Sequence, residues 1–411
     1  MSEAGQVRKG EGEKRPLRIL MIAPTSFFSD YGGHIRILEE TRTLLAMGHQ
    51  VRIVTYYKGS NLPGLDIRRT PPLPWHTEYE VGSSRHKIAF DVYLSIQSLI
   101  EGIRMRPDVL HGHMGEGALI GGVLSRLLRV PLVFDFQGLM TAEMVDHKFL
   151  DPNGLVYPWM YRLERFFSTR LPHAILTSSL RARQILHNEF AIPLSKIHPL
   201  PDCADTTRFD PQTISTEAQQ KIRQRYNIPA DRLIVAYLGL LTDYQGTPHL
   251  IEAAVHFKQQ QANVHFLVMG YPDVDRYQAM AVKRGVGDMM TFTGKVEYRD
   301  APTYLSLGDI AVAPKMSSTE GSGKLLNYMA LCQPVVAYET PVHREYLGEL
   351  GVYASVGDIA AFTRGIEWLV ANPQERVRLG QLLRQRALEK YSWRAAGEEI
   401  VSIYCQLTSK K

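Results

Sequence analysis

Short apolar runs alternate with amphipathic stretches through the first half of the chain, a pattern that predicts strands separated by helices. The apolar runs predict strands at 17–24, 51–56, 108–111, 130–135 and 174–177. The amphipathic stretches predict helices at 35–47, 87–105, 118–128 and 179–190. Residues 58–85, with prolines at 63, 71, 72 and 74, are expected to form a long irregular connection. The opening β-loop-α-β unit is typical of a doubly wound α/β domain.

The alternation breaks around residues 199–203 and begins again in the second half of the chain. Strands are predicted there at 233–238, 264–269, 290–293, 309–313, 334–337 and 351–353. Helices are predicted at 247–259, 276–284, 301–307 and 324–332. We therefore expect an α/β fold with two Rossmann-like, doubly wound domains, at 16–205 and 206–390, that face each other across a cleft. Ligands of such sheets bind beyond the carboxyl ends of the strands.

The loop after the predicted strand 309–313 holds an acid and two glycines just before a helix. Its sequence is Thr319-Glu320-Gly321-Ser322-Gly323-Lys324. Gly321 and Gly323 have no Cβ to keep a ligand away from the backbone, and a helix that starts at Lys324 offers unpaired N–H groups. This pattern is compatible with a phosphate-binding site. Taken alone it favours a simpler interpretation, a turn whose acid caps the helix.

Composition narrows the class of protein. The 411 residues are 45% hydrophobic, enough for more than one core. The sequence has no run of eighteen apolar residues, and residues 1–15 are too polar for a secretory signal, so we expect a cytoplasmic protein with a disordered basic tail at 1–15. The three cysteines are too far apart for a zinc motif or a disulfide framework. The formal charge of +5 suits phosphorylated ligands or an anionic membrane surface and falls short of a nucleic-acid-binding signature.

Several short motifs follow one another along nearly the whole chain. They are Tyr31-Gly32-Gly33-His34-Ile35-Arg36, Ala46-Met47-Gly48-His49-Gln50-Val51, Pro107-Asp108-Val109-Leu110-His111-Gly112-His113, Phe292-Thr293-Gly294-Lys295-Val296 and Tyr391-Ser392-Trp393. In this order and spacing the chain resembles the retaining glycosyltransferases of the GT-B fold, glycosyltransferase family four. The resemblance implies transfer of a sugar from a nucleotide diphosphate sugar with net retention at the anomeric carbon. It also implies that a C-terminal helix, within 391–411, crosses back onto the first domain.

The resemblance assigns the two catalytic positions to Glu320 and His113, and alignment on the following segment leaves the acid position open between Thr319 and Glu320. Glu320 would accept hydrogen bonds from hydroxyls of the donor sugar, a role that its two oxygens suit. His113 would face the reacting centre as a polar or proton-handling group. A histidine at a strand end has a purely structural role in many proteins, and we expect that role for His111, two residues earlier.

The resemblance also implies a donor site, chiefly on the second domain, where charge on the diphosphate has to be stabilised. Lys295 and Val296 would contact the base through backbone atoms, and Asn327 would contact the ribose in place of a glutamate. The full set of donor-binding residues that it implies is Gly32, Gly33, Gly239, Gln245, Lys295, Val296, Gly321, Ser322, Gly323, Lys324 and Asn327.

Two positions depart from the family pattern. Leu240 and Gln245 stand where the family usually has an arginine and a lysine aimed at the diphosphate. Each charge-assisted contact of this kind contributes about 1.5 to 3 kcal/mol. Lys324 is expected to restore one of the two cations.

On the acceptor side, the resemblance implies Asp135 and Gln137, which follow the fourth predicted strand where many members have a histidine. For Asp135, a cap of the following turn is an equal alternative. The acceptor itself, whether a glycan, a lipid-linked molecule or a small molecule, is left open. Peripheral contact with the inner membrane face is left open with it.

The alternative function is a catalytically weakened GT-B protein that binds a sugar nucleotide or glycan, or that serves as a partner subunit. Epimerase or phosphorylase chemistry is less favoured, since neither a pyridoxal-phosphate lysine signature nor a suitable acid pair is found. No cofactor and no metal are expected, because the nearest Asp-x-Asp string, Asp273-Val274-Asp275, is predicted to lie in a loop beyond a strand.

Overall fold

The computed structural model describes residues 15–28, 32–73, 87–146, 149–317 and 321–409. The strands of the first domain are β1 (Arg18–Ala23), β2 (Gln50–Thr55), β3 (Asp66–Arg69), β4 (Val109–His113), β5 (Leu132–Phe136), β6 (Ala174–Thr177) and β7 (Ile197–Pro199). Its helices are α1 (Gly32–Ala46), α2 (Lys87–Met105), α3 (Met114–Leu128), α4 (Met140–Asp146), α5 (Tyr157–Arg170) and α6 (Leu180–Asn188).

The first sheet is parallel throughout, in the order β3-β2-β1-β4-β5-β6-β7. Its strands are apolar on both faces, as expected where helices cover a sheet on both sides. Ile19 and Met21 of β1 pack in one core with Ile37 of α1. Leu20 and Ile22, which point to the opposite face, pack in another core with residues of α2, α3 and α5. The strand order and the two cores define a doubly wound domain.

The second domain repeats this plan with the parallel order β10-β9-β8-β11-β12-β13. Its strands are β8 (Leu233–Leu238), β9 (Val264–Met269), β10 (Met290–Gly294), β11 (Ile310–Ala313), β12 (Val335–Tyr338) and β13 (Val352–Ala354). The helices that follow the first domain are α7 (Thr216–Tyr226), α8 (Thr247–Gln259), α9 (Val274–Lys283), α10 (Ala301–Leu305), α11 (Lys324–Ala330), α12 (Pro341–Leu347), α13 (Ile359–Ala371), α14 (Pro373–Lys390) and α15 (Trp393–Thr408). The predicted two-domain α/β fold is confirmed.

The two domains contact each other near α6 and α12 and through the last helix. The backbone N–H of Leu180, at the start of α6, donates to the Glu345 carboxylate of α12 over 2.7 Å, and the Tyr346 hydroxyl donates to the Ser178 carbonyl over 3.0 Å. The last helix, α15, packs against α1 of the first domain, where Gly397 permits close approach to Thr43. The chain therefore ends on the domain with which it began.

The structure corrects four local predictions. The connection 58–85 is not wholly irregular, because it contains the edge strand β3. Helices α1 and α3 begin at Gly32 and Met114, three and four residues earlier than predicted, so the glycine pair forms the first turn of α1 rather than preceding it. Asp273 and Asp275 do not lie in a loop, since Asp273 is the N-cap of α9 and Asp275 lies in its first turn. Helices α4 and α5, between β5 and β6, were not predicted, and neither were strand β7 and helices α7, α12, α13 and α14.

Within the described residues, no helix combines the length and the apolar character needed to cross a lipid bilayer.

Candidate active site

A buried guanidinium, that of Arg36 on α1, organises the polar residues at the carboxyl end of the first sheet. Its Nε lies 2.9 Å from Asp135 Oδ2 and its Nη2 lies 2.7 Å from Asp135 Oδ1. Its Nη1 donates to Asp202 Oδ1 over 3.1 Å, and Glu40 Oε1 lies 3.1 Å from its Nε. Arg36 is 3% exposed, and Asp135 and Glu40 are fully buried. A charge taken out of water in this way is tolerated only when it is fully paired.

The two histidines of β4 lie on the same side of the strand, because they are two residues apart. Their rings stack with centroids 4.5 Å apart. His113 Nδ1 lies 3.1 Å from Asp135 Oδ2, and His111 Nδ1 lies 2.5 Å from the Tyr404 hydroxyl of α15. An ionised carboxylate only accepts hydrogen bonds, so His113 donates from Nδ1 in this contact.

The charges of this cluster follow from burial and pairing. Burial alone would raise the pKa of Asp135, but the Arg36 charge and the His113 contact hold it well below its usual range. Burial raises the pKa of Glu40 well above its usual range, with a further contribution from the nearby Asp135 charge. Burial, followed by the proximity of His113, lowers the pKa of His111. The cluster thus holds an ionised Asp135 against Arg36 and a neutral His111 ring, while burial of Glu40 favours its protonated form.

Gln137 and Gly33 lie at the edge of this network. Gln137 Nε2 donates to Asp135 Oδ2 over 2.8 Å. A Cβ on Gly33 would lie 2.9 Å from Gln137 Oε1, so a larger residue there would displace the Gln137 amide. Gln137 is partly exposed, whereas Asp135 is fully buried. The sequence placed all three near the ligand, and the structure brings them together.

The second domain contributes the loop before α11. A Cβ on Gly321 would lie 2.7 Å from Asp202 Oδ2, and one on Gly323 would lie 3.5 Å from it. Lys315, buried just after β11, donates from Nζ to the Gly321 carbonyl over 2.9 Å. The glycines therefore let this loop approach the Arg36–Asp202 pair of the first domain. Thr319 and Glu320, the predicted catalytic acid, lie outside the described residues.

Ser322, in the same loop, has a defined hydrogen-bond partner in His343 of α12. His343 Nδ1 lies 2.7 Å from the Tyr338 carbonyl, which can only accept, so Nδ1 carries the proton. Burial lowers the pKa of His343 to about 4, so the ring is neutral and its Nε2 accepts from the Ser322 hydroxyl over 3.2 Å. This contact fixes the middle of the loop.

Lys324, the first residue of α11, lies beside two other predicted donor-binding residues. Its Nζ donates to Gln245 Oε1 over 3.0 Å and would lie 2.9 Å from a Cβ on Gly239. It also lies 4.4 Å from the centroid of the Tyr237 ring, a cation–π distance. The ammonium of Lys324 is thus next to the position where the family pattern has its lysine.

The remaining predicted donor-binding residues are farther apart. Lys295 is exposed after β10, with its Nζ 3.7 Å from Glu297 Oε1 and 5.9 Å from the centroid of the Tyr271 ring. Val296 is partly buried against the core. Asn327 lies in the middle of α11 and is partly buried. Gly32 is the first residue of α1.

Sequence reasoning missed four charged residues of this site: Arg36, Glu40, Asp202 and Lys315. Arg36 and Glu40 are spaced i, i+4 on a helix face that also carries Ile37 and Leu44, and charges on such a face are a signal of a buried ion pair. Lys315 follows a buried parallel strand by two residues, a position where ligands of α/β sheets bind. Asp202 carried no local signal, because its partners are distant in sequence.

The cluster also has the composition of a metal site. One ligand atom each from Glu40, His111, His113 and Asp135 lie within 4.8 Å of one another. The guanidinium of Arg36 lies among these same carboxylates and would repel a divalent cation. Asp135 is already engaged by Arg36, and the raised pKa of Glu40 favours its protonated form. The donor set therefore fits an arginine-centred network better than a metal site.

The two parallel α/β domains thus place a glycine-rich loop of one against a buried ion pair of the other. The family described as "Glycosyl transferases group 1" matches residues 218–386, and the family described as "Glycosyl transferase 4-like domain" matches residues 32–203. The chain belongs to the group 1 glycosyltransferases, and it is a glycosyltransferase of the GT-B fold.

Similar proteins with glycosyltransferase names come from several organisms. EpsD of Bacillus subtilis (strain 168), which carries a glycosyltransferase name, is 33% identical over 323 residues, 76% of this chain and 80% of EpsD. Alpha-D-kanosaminyltransferase of Streptomyces kanamyceticus is 25% identical over 320 residues, 74% of this chain and 79% of that protein.

Solved structures share the fold at low sequence identity. Sucrose-phosphate synthase from Thermosynechococcus elongatus superposes with a TM-score of 0.80 at 17% identity, over 97% of this chain and 100% of that one. HepE of Anabaena, solved with UDP and glucose, superposes with a TM-score of 0.76 at 13% identity, over 95% of this chain and 100% of that one.

Proposed function

We propose that this glycosyltransferase moves a sugar from a nucleoside diphosphate sugar to a glycan, lipid-linked or small-molecule acceptor, with retention of configuration at the anomeric carbon. The donor binds mainly to the second domain, and the acceptor binds to the first. Family membership supports sugar transfer, and the structural neighbour HepE was solved with UDP and with UDP-glucose.

The observation that carries the donor proposal is the position of Lys324. Its ammonium lies beside Gly239 and Gln245, at the carboxyl end of β8, where ligands of parallel sheets bind. Departure of the diphosphate is the step in which negative charge develops, and a fixed ammonium stabilises that charge. Lys324 therefore supplies a positive charge for the diphosphate, which Leu240 and Gln245 cannot supply.

The buried network of the first domain acts as a positioning device in this proposal. Arg36 holds Asp135 and Asp202 in place, and Asp202 in turn lies against Gly321 and Gly323 of the donor loop. The loop amides and the Gly32–Gly33 turn then hold the diphosphate from opposite sides. His113 and Glu320 remain the proposed catalytic residues.

Exposure separates the roles of the two proposed acceptor-side residues. Gln137 is partly exposed beside Gly33 and is the one that contacts the acceptor. Asp135 is fully buried and bonded to Arg36, His113 and Gln137, so it acts through them. Asn327 on the ribose, and Lys295 and Val296 on the base, complete the donor site.

A panel of UDP-, GDP- and ADP-sugars tests this proposal in two steps. A thermal shift identifies the donor, since a bound ligand raises the apparent stability of the folded protein. Release of the nucleoside diphosphate with a panel of acceptors then measures transfer, and we expect EDTA to leave it unchanged. Donor binding without turnover on any acceptor would favour the alternative function, a weakened GT-B protein that only binds sugar nucleotides, for which Leu240 and Gln245 are the motivating residues.

A further inference from the structure

Helix α2 presents an apolar face to solvent. Its residues Ile88, Val92, Ile96, Ile100 and Ile103 are between 37% and 77% exposed, and they follow one another at intervals of three or four residues. Such spacing places them in one stripe along the helix. The opposite stripe, which contains Phe90 and Leu94, is buried in the core of the first domain. A surface helix of a globular domain usually exposes charged residues on its outer side, so this stripe requires a separate explanation.

The neighbouring helices extend this face. Helix α3 packs beside α2, and α5 packs beside α3, on the same side of the first sheet. Helix α3 exposes Leu119, Val123 and Leu127, again in one stripe. Helix α5 exposes Trp159, Leu163 and Phe166, with Trp159 70% exposed. We call the outer surface of these three helices the α2–α3–α5 face.

The charges on this face have one sign. Within α2, α3 and α5, which the structure describes in full, the exposed residues are large apolar side chains, one proline and the arginines Arg104, Arg126, Arg162, Arg165 and Arg170. The four acids of these helices are turned inward or paired: Glu101 and Glu164 are buried, Asp91 accepts from the Tyr56 hydroxyl over 2.6 Å, and Glu116 pairs with Lys87 over 2.6 Å. The face is thus apolar and cationic.

Helix α14 of the second domain shows that this pattern is not general to the protein. Its exposed residues include Val377 and Leu388, but also Glu389, Lys390 and three glutamines. The difference between α14 and the α2–α3–α5 face is therefore one of composition and not of exposure.

We propose that the α2–α3–α5 face docks the protein on an anionic lipid membrane, with the helices lying in the plane of the interface. Isoleucine, leucine, tryptophan and phenylalanine side chains enter the region between headgroups and acyl chains, and arginines bind lipid phosphates. Arg162 lies 5.5 Å from the Trp159 ring, so cationic and aromatic groups are already adjacent. A pocket at the end of α5, lined by Arg162, Arg165, Arg170, Phe166 and Phe190, has the chemistry of a phosphate headgroup site.

The charges favour a membrane over a second copy of the chain. Two copies that met through this face would bring arginines against arginines, with no exposed acid on the three helices to pair them. An anionic lipid surface supplies the missing negative charge. Docking of this kind does not depend on the donor chemistry proposed above.

Co-sedimentation with vesicles of phosphatidylcholine alone, or mixed with phosphatidylglycerol, tests the proposal on the full chain. We expect binding to the mixed vesicles and at least tenfold weaker binding to phosphatidylcholine alone. The variant Val92→Glu/Ile96→Glu is expected to lose binding by at least tenfold. The matched control Val377→Glu/Leu388→Glu, on exposed positions of α14, should bind as the unchanged protein does. Because all four positions are exposed, each variant is expected to keep its melting temperature, which is checked alongside.

Tryptophan fluorescence provides a second readout. Vesicles with brominated acyl chains should quench the emission of the protein, and Trp159→Phe should remove most of this quenching. Trp368→Phe, on α13 of the second domain, should not change it. Equal binding of the Val92→Glu/Ile96→Glu variant, or quenching that survives Trp159→Phe, would overturn the proposal. So would a dimer that forms in solution without lipid and dissociates in the same variant.

Discussion

At the scale of single residues, Arg36 connects more of the site than any other side chain described above. It pairs with Asp135, Glu40 and Asp202, and Asp202 lies against the loop of the other domain. Burial opposes its charge, but the three acids hold the pKa of Arg36 above its ordinary value. The arrangement fixes Asp135, and through it the orientation of His113 and Gln137.

Replacing Arg36 tests this role. Arg36→Met leaves the Asp135 carboxylate buried without its partner, which is expected to cost about 3 to 5 kcal/mol of unfolding free energy. Chemical denaturation measures the change. In the control, Arg344→Met removes an exposed arginine that pairs with Glu339 over 2.9 Å, and the loss there should be about 1 kcal/mol or less. Equal losses in the two variants would contradict the proposed network.

Lys324 provides the residue-scale test of donor binding. Lys324→Ala removes the ammonium beside Gly239 and Gln245. The affinity for the nucleotide sugar should fall about 10- to 100-fold, because one charge-assisted hydrogen bond is lost. Titration calorimetry with the donor found by the panel measures it. The control is Lys283→Ala, at an exposed position at the end of α9. Unchanged donor affinity in Lys324→Ala would remove this residue from the site.

The sequence predicted those site residues that belong to short motifs at the ends of predicted strands and helices. Gly33 precedes a predicted helix, Asp135 ends a predicted strand, and His113 and Gln137 follow predicted strands, and all four meet in the structure. Arg36 was not assigned a role, because only the three-dimensional structure brings Asp135 and Asp202, 99 and 166 residues away, to its two ends.

At the scale of elements, α15 ties the end of the chain to the first domain. Gly397 allows this packing, since a Cβ there would lie 2.3 Å from Thr43 Cγ2. The Tyr404 hydroxyl, about two turns further on, reaches His111 in the core of the site. The helix therefore supports the polar cluster as well as covering α1.

A bulky residue at Gly397 should weaken this contact. Gly397→Leu is expected to lower the unfolding free energy by about 1 to 3 kcal/mol through overpacking. Ala395→Leu adds a comparable side chain at an exposed position of the same helix and should change it by about 0.5 kcal/mol or less. Thermal unfolding of both variants measures the two changes in stability. If Gly397→Leu were as stable as the unchanged protein, α15 would not pack tightly on α1.

Most strands and several helices could be predicted from the apolar pattern because parallel strands buried on both faces are continuous apolar runs. Helix α8 begins and ends at the predicted residues. Helices α4 and α5 were missed because the outer side of α5 exposes tryptophan, leucine and phenylalanine, which disturbs the amphipathic pattern on which the prediction depends.

At the scale of the whole molecule, the domain contact through Glu345 depends on pH. Burial raises the pKa of Glu345 to about 7. The hydrogen bond from Leu180 acts in the opposite direction, and the nearby Asp202 charge raises the pKa further. The folded protein therefore binds a proton that the unfolded chain releases near pH 4.5, and this contribution to stability is lost as pH rises from about 4.5 to 7.

Glu345→Gln keeps an oxygen that accepts from Leu180 and removes the titration. The variant should match the unchanged protein at pH 4.5 and exceed its stability by about 1 kcal/mol at pH 8, allowing for the partial exposure of the carboxyl group. Urea midpoints at both pH values measure this. Glu349→Gln, at a side chain 94% exposed, is the control and should show no such difference. A pH-independent effect of Glu345→Gln would contradict the assignment.

In the proposed reaction the two domains together transfer a sugar from a nucleoside diphosphate donor with retention. Proton NMR of the anomeric centre, recorded while donor, acceptor and protein react, tests both transfer and retention. We expect release of the nucleoside diphosphate with a product whose anomeric configuration equals that of the donor. A product of inverted configuration would contradict retention, and a donor that stays bound and unreacted with every acceptor would contradict transfer itself.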